Sequence, residues 1–273
     1  MSVSTYAAAQ LIRVLPRVRL SHAVGRLCER QLPPNVSKVV ALAYAKAYRV
    51  NMEEAQVEGP FASFDAFFTR RLRHGVRAVS DDAVVSPADG LMSASGAVTE
   101  GCRIRVKEQN YSVSELLGST ADAERYQGGS FIVVYLSPRD YHRVHAPVGG
   151  QLTAVRAIPG DLFPVNSIGE KYVQDLFVRN NRVAFHLESA THGRVTLVMV
   201  GATIVGRIGV SALDDQSPSP GLTRLPSPIA VERGDEVGIF HLGSTVVVLF
   251  ESGLTLGRRL GPVKYGETLL REP

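Results

Sequence analysis

From Gly75 to the C-terminus the chain is a succession of short β-branched runs punctuated by proline and glycine: Ala83–Val85, Cys102–Val106, Phe131–Leu136, Gln151–Ile158, Val183–Leu187, Val195–Val205 and two apolar arms in Gly238–Phe250. Runs of this length between turn residues predict a mostly antiparallel, β-rich body. Ahead of Gly75 the texture is helical. Leu11, Ile12, Leu15, Val18, Val24 and Leu27 alternate with arginines across residues 5–31, which predicts two short amphipathic helices broken at Pro16 and capped anew at Ser21. Ser37–Val50, alanine-rich and ended by Asn51, reads as a further helix, and Ser63–Leu72 would set Phe64, Phe67, Phe68 and Leu72 on one helical face. The fold class expected is α+β, with a helical segment over 1–75 and a β-rich domain over 76–273. The Ser/Pro/Gly stretch Gln216–Pro228 reads as a mobile surface loop.

At 273 residues, 45% of them hydrophobic, the chain can build a substantial core. Cys28 and Cys102 match no metal or redox spacing and form no disulfide framework, which suits a reducing compartment; no metal site is expected. The first 50 residues hold eight Lys/Arg against Glu29 alone, leaving 22 basic and 25 acidic residues in the remainder. A basic excess confined to one end argues against a nucleic-acid coat and for an anionic membrane surface met by the N-terminus. No apolar run approaches the ~18 residues of a spanning helix, so the protein is expected to lie on a membrane. Five arginines at about 1 kcal/mol each give only submillimolar binding, so buried leucines must supply the rest. A basic helix packed on its own domain is the alternative.

Within Gly238–Phe250 a Gly243-Ser244 bond sits between the two apolar arms, which look like strands around a small-residue turn. Glycine tolerates unusual dihedrals and leaves its carbonyl open, and the next residue carries a hydroxyl beside that carbonyl. Attack of Ser244 Oγ on the Gly243 carbonyl would turn the peptide into an ester. Elimination then leaves a dehydroalanine that hydrolyses to a pyruvoyl group. An ordinary hairpin explains the same residues.

A serine needs a base, and a histidine is a better base when a carboxylate holds its ring. Asp89 in the turn Ser86–Gly90, and His142 and His145 before Pro147, could supply them: Asp89, His145 and Ser244 would act together. An aspartate in such a turn can instead bond its own backbone, and paired histidines can simply be half-buried. On an extended strand His142 and His145 would face opposite ways, so a shared site requires a bend. Pro87–Ala94 and Pro147–Ala154 share the form P-x-x-G-x-[LM]-[ST]-A. Two similar strand-turn units facing each other would bring Asp89 near the histidines; chance similarity is the simpler explanation of the pattern.

The segments Phe67–Leu72, Ser86–Gly90, Tyr141–Pro147, Pro159–Asn166, Arg179–Val183, Val200–Gly206 and Leu242–Thr245 follow one another in an order that resembles the phosphatidylserine decarboxylase family, pyruvoyl-dependent, membrane-associated proenzymes of phospholipid synthesis. The resemblance implies cleavage between Gly243 and Ser244 into a β chain (1–243) and an α chain (244–273) that opens with a pyruvoyl group derived from Ser244. It implies that Asp89 and His145 activate Ser244, and that His142 serves the decarboxylation of phosphatidylserine to phosphatidylethanolamine, which runs through a Schiff base and ends with protonation of the substrate carbon. It also implies a heterodimer of the two chains, a further homodimer of that pair, and a place on the cytoplasmic face of the cell membrane. Glu108 departs from the family pattern, and Gln216–Pro228 has no counterpart in it. A serine hydrolase built on Asp89, His145 and Ser244 lacks the Gly-x-Ser-x-Gly elbow. The residues also leave room for a pyruvoyl decarboxylase of a soluble amino acid and for a non-enzymatic lipid-surface module.

Overall fold

The structure, a computed structural model, describes residues 17–203, 207–213, 218–251 and 253–270. Three helices come first: α1 (Arg17–Glu29), α2 (Pro34–Tyr48) and α3 (Phe64–Phe68). The more N-terminal of the two expected amphipathic helices lies outside the described residues. Helix α1 runs from Arg17, so Ser21 is a buried residue inside it and not its cap. A Pro-Asn start suits the first turn of α2, and Arg49 closes it in the left-handed region at φ 58°. Ser63 Oγ accepts from the Ala66 N–H and caps α3, which is shorter than the periodicity suggests: it stops at Phe68, and Leu72 bridges Ala55 instead.

Among the described residues the body holds thirteen strands: β1 (Gly90–Ala97), β2 (Arg103–Val106), β3 (Gln109–Ser112), β4 (Ser130–Leu136), β5 (Arg143–His145), β6 (Gly150–Ile158), β7 (Arg182–Ser189), β8 (Gly193–Val200), β9 (Arg207–Val210), β10 (Gly221–Val231), β11 (Glu236–His241), β12 (Ser244–Phe250) and β13 (Gly261–Val263). Eight form an antiparallel sheet in the order β10-β6-β7-β8-β12-β4-β1-β13; a second sheet runs β5-β11-β9, and β2-β3 is a hairpin. Strands β4, β7, β8 and β12 are buried along nearly their whole length, which is why they read as continuous apolar runs without polar alternation. Ala83–Val85 forms no named strand: Val85 makes a single bridge to Thr268, and the Val84 carbonyl accepts from the Leu269 N–H (3.1 Å).

Two expectations fail against this architecture. Gly221–Pro228 is no loop: it belongs to edge strand β10, and the prolines Pro226 and Pro228 fall in the register shift between Arg224 and Ile229, where no ladder N–H is required of them. The arms of Gly238–Phe250 are not a hairpin either. Strand β11 pairs with β5 and β9, β12 with β4 and β8, so Leu242 and Gly243 carry the chain from one sheet to the other.

The repeated P-x-x-G pattern is a structural duplication. The Val85 N–H donates to the Pro147 carbonyl (3.0 Å) and the His145 N–H to the Pro87 carbonyl (2.8 Å), the same bond seen from either unit. The register shifts between Met92 and Ala94 in one unit and between Leu152 and Ala154 in the other. A second pair of segments joins the symmetry: Gly234 and Gly266, at φ +88° and +84°, donate to the Ala146 and Ser86 carbonyls at 2.9 and 3.0 Å. In this relation His145 stands where the other unit has Val85, and Asp89 stands where the other has Gly149. The units diverge at the residues singled out for chemistry.

Candidate active site

The crossing from β11 to β12 is strained one residue before the Gly243-Ser244 bond. Leu242 holds φ +90°, a region that costs a branched side chain on the order of 1–3 kcal/mol. Gly243 is not the strained residue; a Cβ on it would meet nothing within 4 Å, so what the glycine contributes is an uncrowded flank beside its carbonyl. Ser244 opens β12 opposite Leu136, fully buried, and its Oγ has no hydrogen-bond partner among the described residues. A buried hydroxyl left unpaired costs about 1–3 kcal/mol, which marks it as more than packing.

His142 and His145 stand on the neighbouring β5 segment. His142 lies just ahead of β5, which begins at Arg143, and the Phe240 N–H of β11 donates to the His142 carbonyl (2.9 Å). Each ring is fixed by a backbone acceptor: His142 Nδ1 donates to the Asp140 carbonyl (2.8 Å) and His145 Nδ1 to the Gly234 carbonyl (2.7 Å). Carbonyls only accept, so both Nδ1 atoms carry hydrogen and both Nε2 atoms present a lone pair. Neither Nε2 has a partner among the described residues. Burial pushes the His142 pKa down to about 3, with Arg70 adding to the fall, and burial also lowers that of His145. Both are neutral bases in this state. His142 packs on Phe68 at 4.1 Å, and His145 lies flat on Tyr265, 3.9 Å away at 4°, with the Tyr141 ring 5.7 Å from each of them.

Asp89 is at the same end of the sheet, ahead of β1, with β4 between it and β12. Strand spacing puts its backbone roughly 10 Å from that of Ser244. Its carboxylate, 1% exposed, accepts from Arg77 Nε (3.2 Å) and Nη2 (2.6 Å), Lys264 Nζ (3.1 Å) and the Tyr265 N–H (2.9 Å). No hydrogen bond joins it to His145, whose tautomer is set by Gly234; Asp89 reaches that ring through Tyr265, which it bonds and which stacks on it. Arg77 is shared with Glu54 at 2.6 Å. Lys264 and Tyr265 lie after the expected cut, so Asp89 holds the two expected chains together.

Other residues of the site were missed in the sequence. His241, three positions before Ser244, sets its Nδ1 2.9 Å from both Asp65 carboxylate oxygens and 3.1 Å from Arg207 Nη2, and its Nε2 is buried without a partner among the described residues. Arg207 reaches both Asp65 (3.7 Å) and Glu29 of α1 (3.2 Å). These groups and Leu242 line a cavity of about 230 Å³ beneath α1. The proximity of His241 to the Gly-Ser pair was visible in the sequence; its carboxylate partner, 176 residues away, was not.

A buried, unpaired hydroxyl beside an uncrowded glycine carbonyl is free to attack that carbonyl. A phosphatidylserine decarboxylase family profile matches residues 64–271. The chain is 40% identical to the phosphatidylserine decarboxylase proenzyme of Anaeromyxobacter sp. (strain K), over 94% of this chain and 95% of that one. The protein of the same name from Myxococcus xanthus (strain DK1622) is 41% identical over 89% and 88%. That from Bordetella pertussis (strain Tohama I) is 39% identical over 93% and 90%. With the profile spanning most of its length and such relatives spanning nearly all of it, the chain belongs to the phosphatidylserine decarboxylase family of carboxy-lyases.

Proposed function

We propose that this chain cuts its own Gly243-Ser244 bond and then converts phosphatidylserine to phosphatidylethanolamine. The observation that carries the reading is the Ser244 hydroxyl, buried without a partner among the described residues one bond beyond a strained strand crossing. His145 Nε2 takes the hydroxyl proton as Oγ attacks the Gly243 carbonyl carbon. The C–N bond breaks, and the Ser244 nitrogen takes the proton back from the imidazole. Loss of the Ser244 Cα proton then expels the Gly243 carboxylate from Cβ, and water displaces ammonia from the resulting dehydroalanine. Residue 243 ends one chain, and a pyruvoyl group begins the other.

That group supplies an electrophilic carbonyl for the substrate amine and a sink for the electron pair released with CO₂. The chain's own residues do the rest. His142 Nε2, held in place by the Asp140 carbonyl and Phe68, is the atom placed to carry a proton to the substrate carbon, a role worth typically ~10²–10⁴-fold. Burial holds His142 neutral before cleavage, so it must first accept that proton. The Asp89 cluster keeps Tyr265, and with it the His145 ring, in position.

Among the described residues no helix is long and apolar enough to cross a membrane. Val18, Leu20 and Leu27 on α1 and Val36, Val39 and Leu42 on α2 are exposed. A bilayer surface is the environment that would cover them, with the basic N-terminal segment on anionic lipid and the site within reach of a head group. Intact mass under denaturing conditions, with and without borohydride, tests the proposal. Two chains, the smaller starting at residue 244, blocked at its amino end and two hydrogens heavier after reduction, are expected; a single uncut chain with an ordinary serine overturns it.

A further inference from the structure

Arg70 makes no ion pair among the described residues; Asp89 and Glu54 act on it only from beyond contact. It is 5% exposed, its Nε has no partner there, and its one hydrogen bond is a long one from Nη2 to the Arg139 carbonyl (3.4 Å). The face of Phe67 lies 5.6 Å from the guanidinium. Other buried arginines of the chain are answered fully: Arg77 by Asp89 and Glu54, Arg143 by both oxygens of Glu236, Arg182 by the carbonyls of Glu115, Leu116, Val178 and Asn180. A buried guanidinium with no anion in contact carries a desolvation penalty that Asp89 and Glu54 offset only in part, and burial lowers its pKa.

The space beside Arg70 is open. It lines a cavity of about 490 Å³ with Thr69, Arg71 and Arg143, closed on the far side by residues 56–61. Glu236 neutralises Arg143 and stands 3.6 Å from the exposed Arg71. Glu58, the acid on the outer wall, accepts from Gln56 at 3.1 Å. The cavity therefore offers a guanidinium free to bind. Two of its lining residues, Thr69 and Arg143, directly follow Phe68 and His142, which pack on each other, and the Arg70 charge acts on the His142 ring.

We propose that Arg70 binds an oxyanion of the substrate head group, its carboxylate or its phosphodiester, beside His142. The assignment rests on the phosphatidylserine reading. Both anions lie within about 5 Å of the head-group nitrogen by ordinary bond lengths, and a guanidinium fork suits either. They differ in consequence. A grip on the carboxylate stabilises the group that must leave and opposes the reaction, whereas a grip on the phosphodiester is the same before and after and lowers KM alone.

The test compares wild type, Arg70→Gln and Arg70→Lys in a Ser244→Ala background by calorimetry. The probes are glycerophosphoserine, glycerophosphoethanolamine, which lacks the carboxylate, and L-serine, which lacks the phosphate. Cleavage and steady-state kinetics are followed in the Ser244 background. Arg70→Gln is expected to weaken glycerophosphoserine binding about 10- to 100-fold, as loss of a charge-assisted bond should, with cleavage by intact mass unchanged and part of the affinity restored by lysine. A parallel loss for glycerophosphoethanolamine identifies the phosphodiester, and a loss shared by L-serine but absent for glycerophosphoethanolamine identifies the carboxylate. Unchanged binding of all three probes overturns the proposal while leaving the decarboxylase reading in place. A wild type that neither cuts itself nor releases CO₂ from phosphatidylserine overturns that reading instead. Should the variants not fold, the Arg70 Nε–H resonance of the ¹⁵N-arginine-labelled Ser244→Ala protein decides: a shift on adding glycerophosphoserine supports the site, and no shift removes it.

Discussion

Replacing Asp89 by Asn separates the two duties assigned to its carboxylate, charge clamp and support of the His145 ring. Asn can keep the Oδ1 contacts to Arg77 Nε and the Tyr265 N–H, but its amide nitrogen then faces Arg77 Nη2 and Lys264 Nζ, donors against a donor. Removing one partner of a buried ion pair costs about 3–5 kcal/mol. Arg77 retains Glu54, and Lys264 is half exposed, so the lower end applies. About 3 kcal/mol lowers the melting temperature of a chain this size by roughly 6–12 °C. Cleavage should slow as well, because the Tyr265 ring is what lies flat on His145, and a misplacement of about 1 Å at a reacting group can cost on the order of 10²-fold. Thermal melts of uncut Ser244→Ala protein with and without Asp89→Asn read the first effect, and mass spectra over time after synthesis read the second. Cleavage at the wild-type rate together with a melting point within a degree or two would refute the reasoning. A lowered melting point with normal cleavage would leave Asp89 as a clamp alone.

Ser244→Ala should abolish cleavage without lowering the stability of the uncut chain, since it deletes an unpaired buried hydroxyl; urea melts showing a loss above about 1 kcal/mol would mean that Oγ has a partner. His142→Ala should still cut itself but lose turnover, read by intact mass and CO₂ release; failed cleavage with turnover preserved in any cut fraction would reverse the division of roles between the two histidines. Stability should fall on acidification below the ordinary histidine range. Burial lowers His142 to about 3 and His186 to about 4, so the unfolded chain takes up these protons first and the stabilisation present at pH 7.5 drains away as pH drops toward those values. Between pH 7.5 and 5 each contributes a loss of about 2 kcal/mol, and urea melts of the Ser244→Ala protein that differ by less than about 1 kcal/mol between these pH values would contradict it.

Much of this site was legible because its chemistry is written in short local motifs. Ser86–Gly90, Tyr141–Pro147 and Leu242–Thr245 each carry their own residues, and the strand crossing that holds Ser244 is itself a local segment. Partnerships between distant segments were not legible. The bond from His145 to Gly234 and the stack on Tyr265 depend on the duplicated glycine turns, whose likeness is two or three residues deep in sequence and clear only as hydrogen bonds. The carboxylate on a histidine next to the proposed cut is Asp65 on His241, a contact between α3 and β11 that no periodicity encodes. Gly221–Pro228 misled for a related reason: at a sheet edge only alternate N–H groups need partners, so prolines are tolerated where composition says loop.

Strand β12 sits in the middle of the large sheet, hydrogen-bonded to β8 on one side and β4 on the other, and the proposed cut falls at its first residue. The nick would therefore release nothing, yet it would change what unfolding means. While joined, the last thirty residues meet the rest at an effective concentration of about millimolar. Once cut, at micromolar protein, they would have to find it by diffusion, a handicap of about three decades or 4 kcal/mol. A matured molecule that comes apart has also lost the serine from which its active group was made, and no second cut can renew it. Its working life would then be governed by how slowly β12 is pulled from between its neighbours, a rate and not an equilibrium.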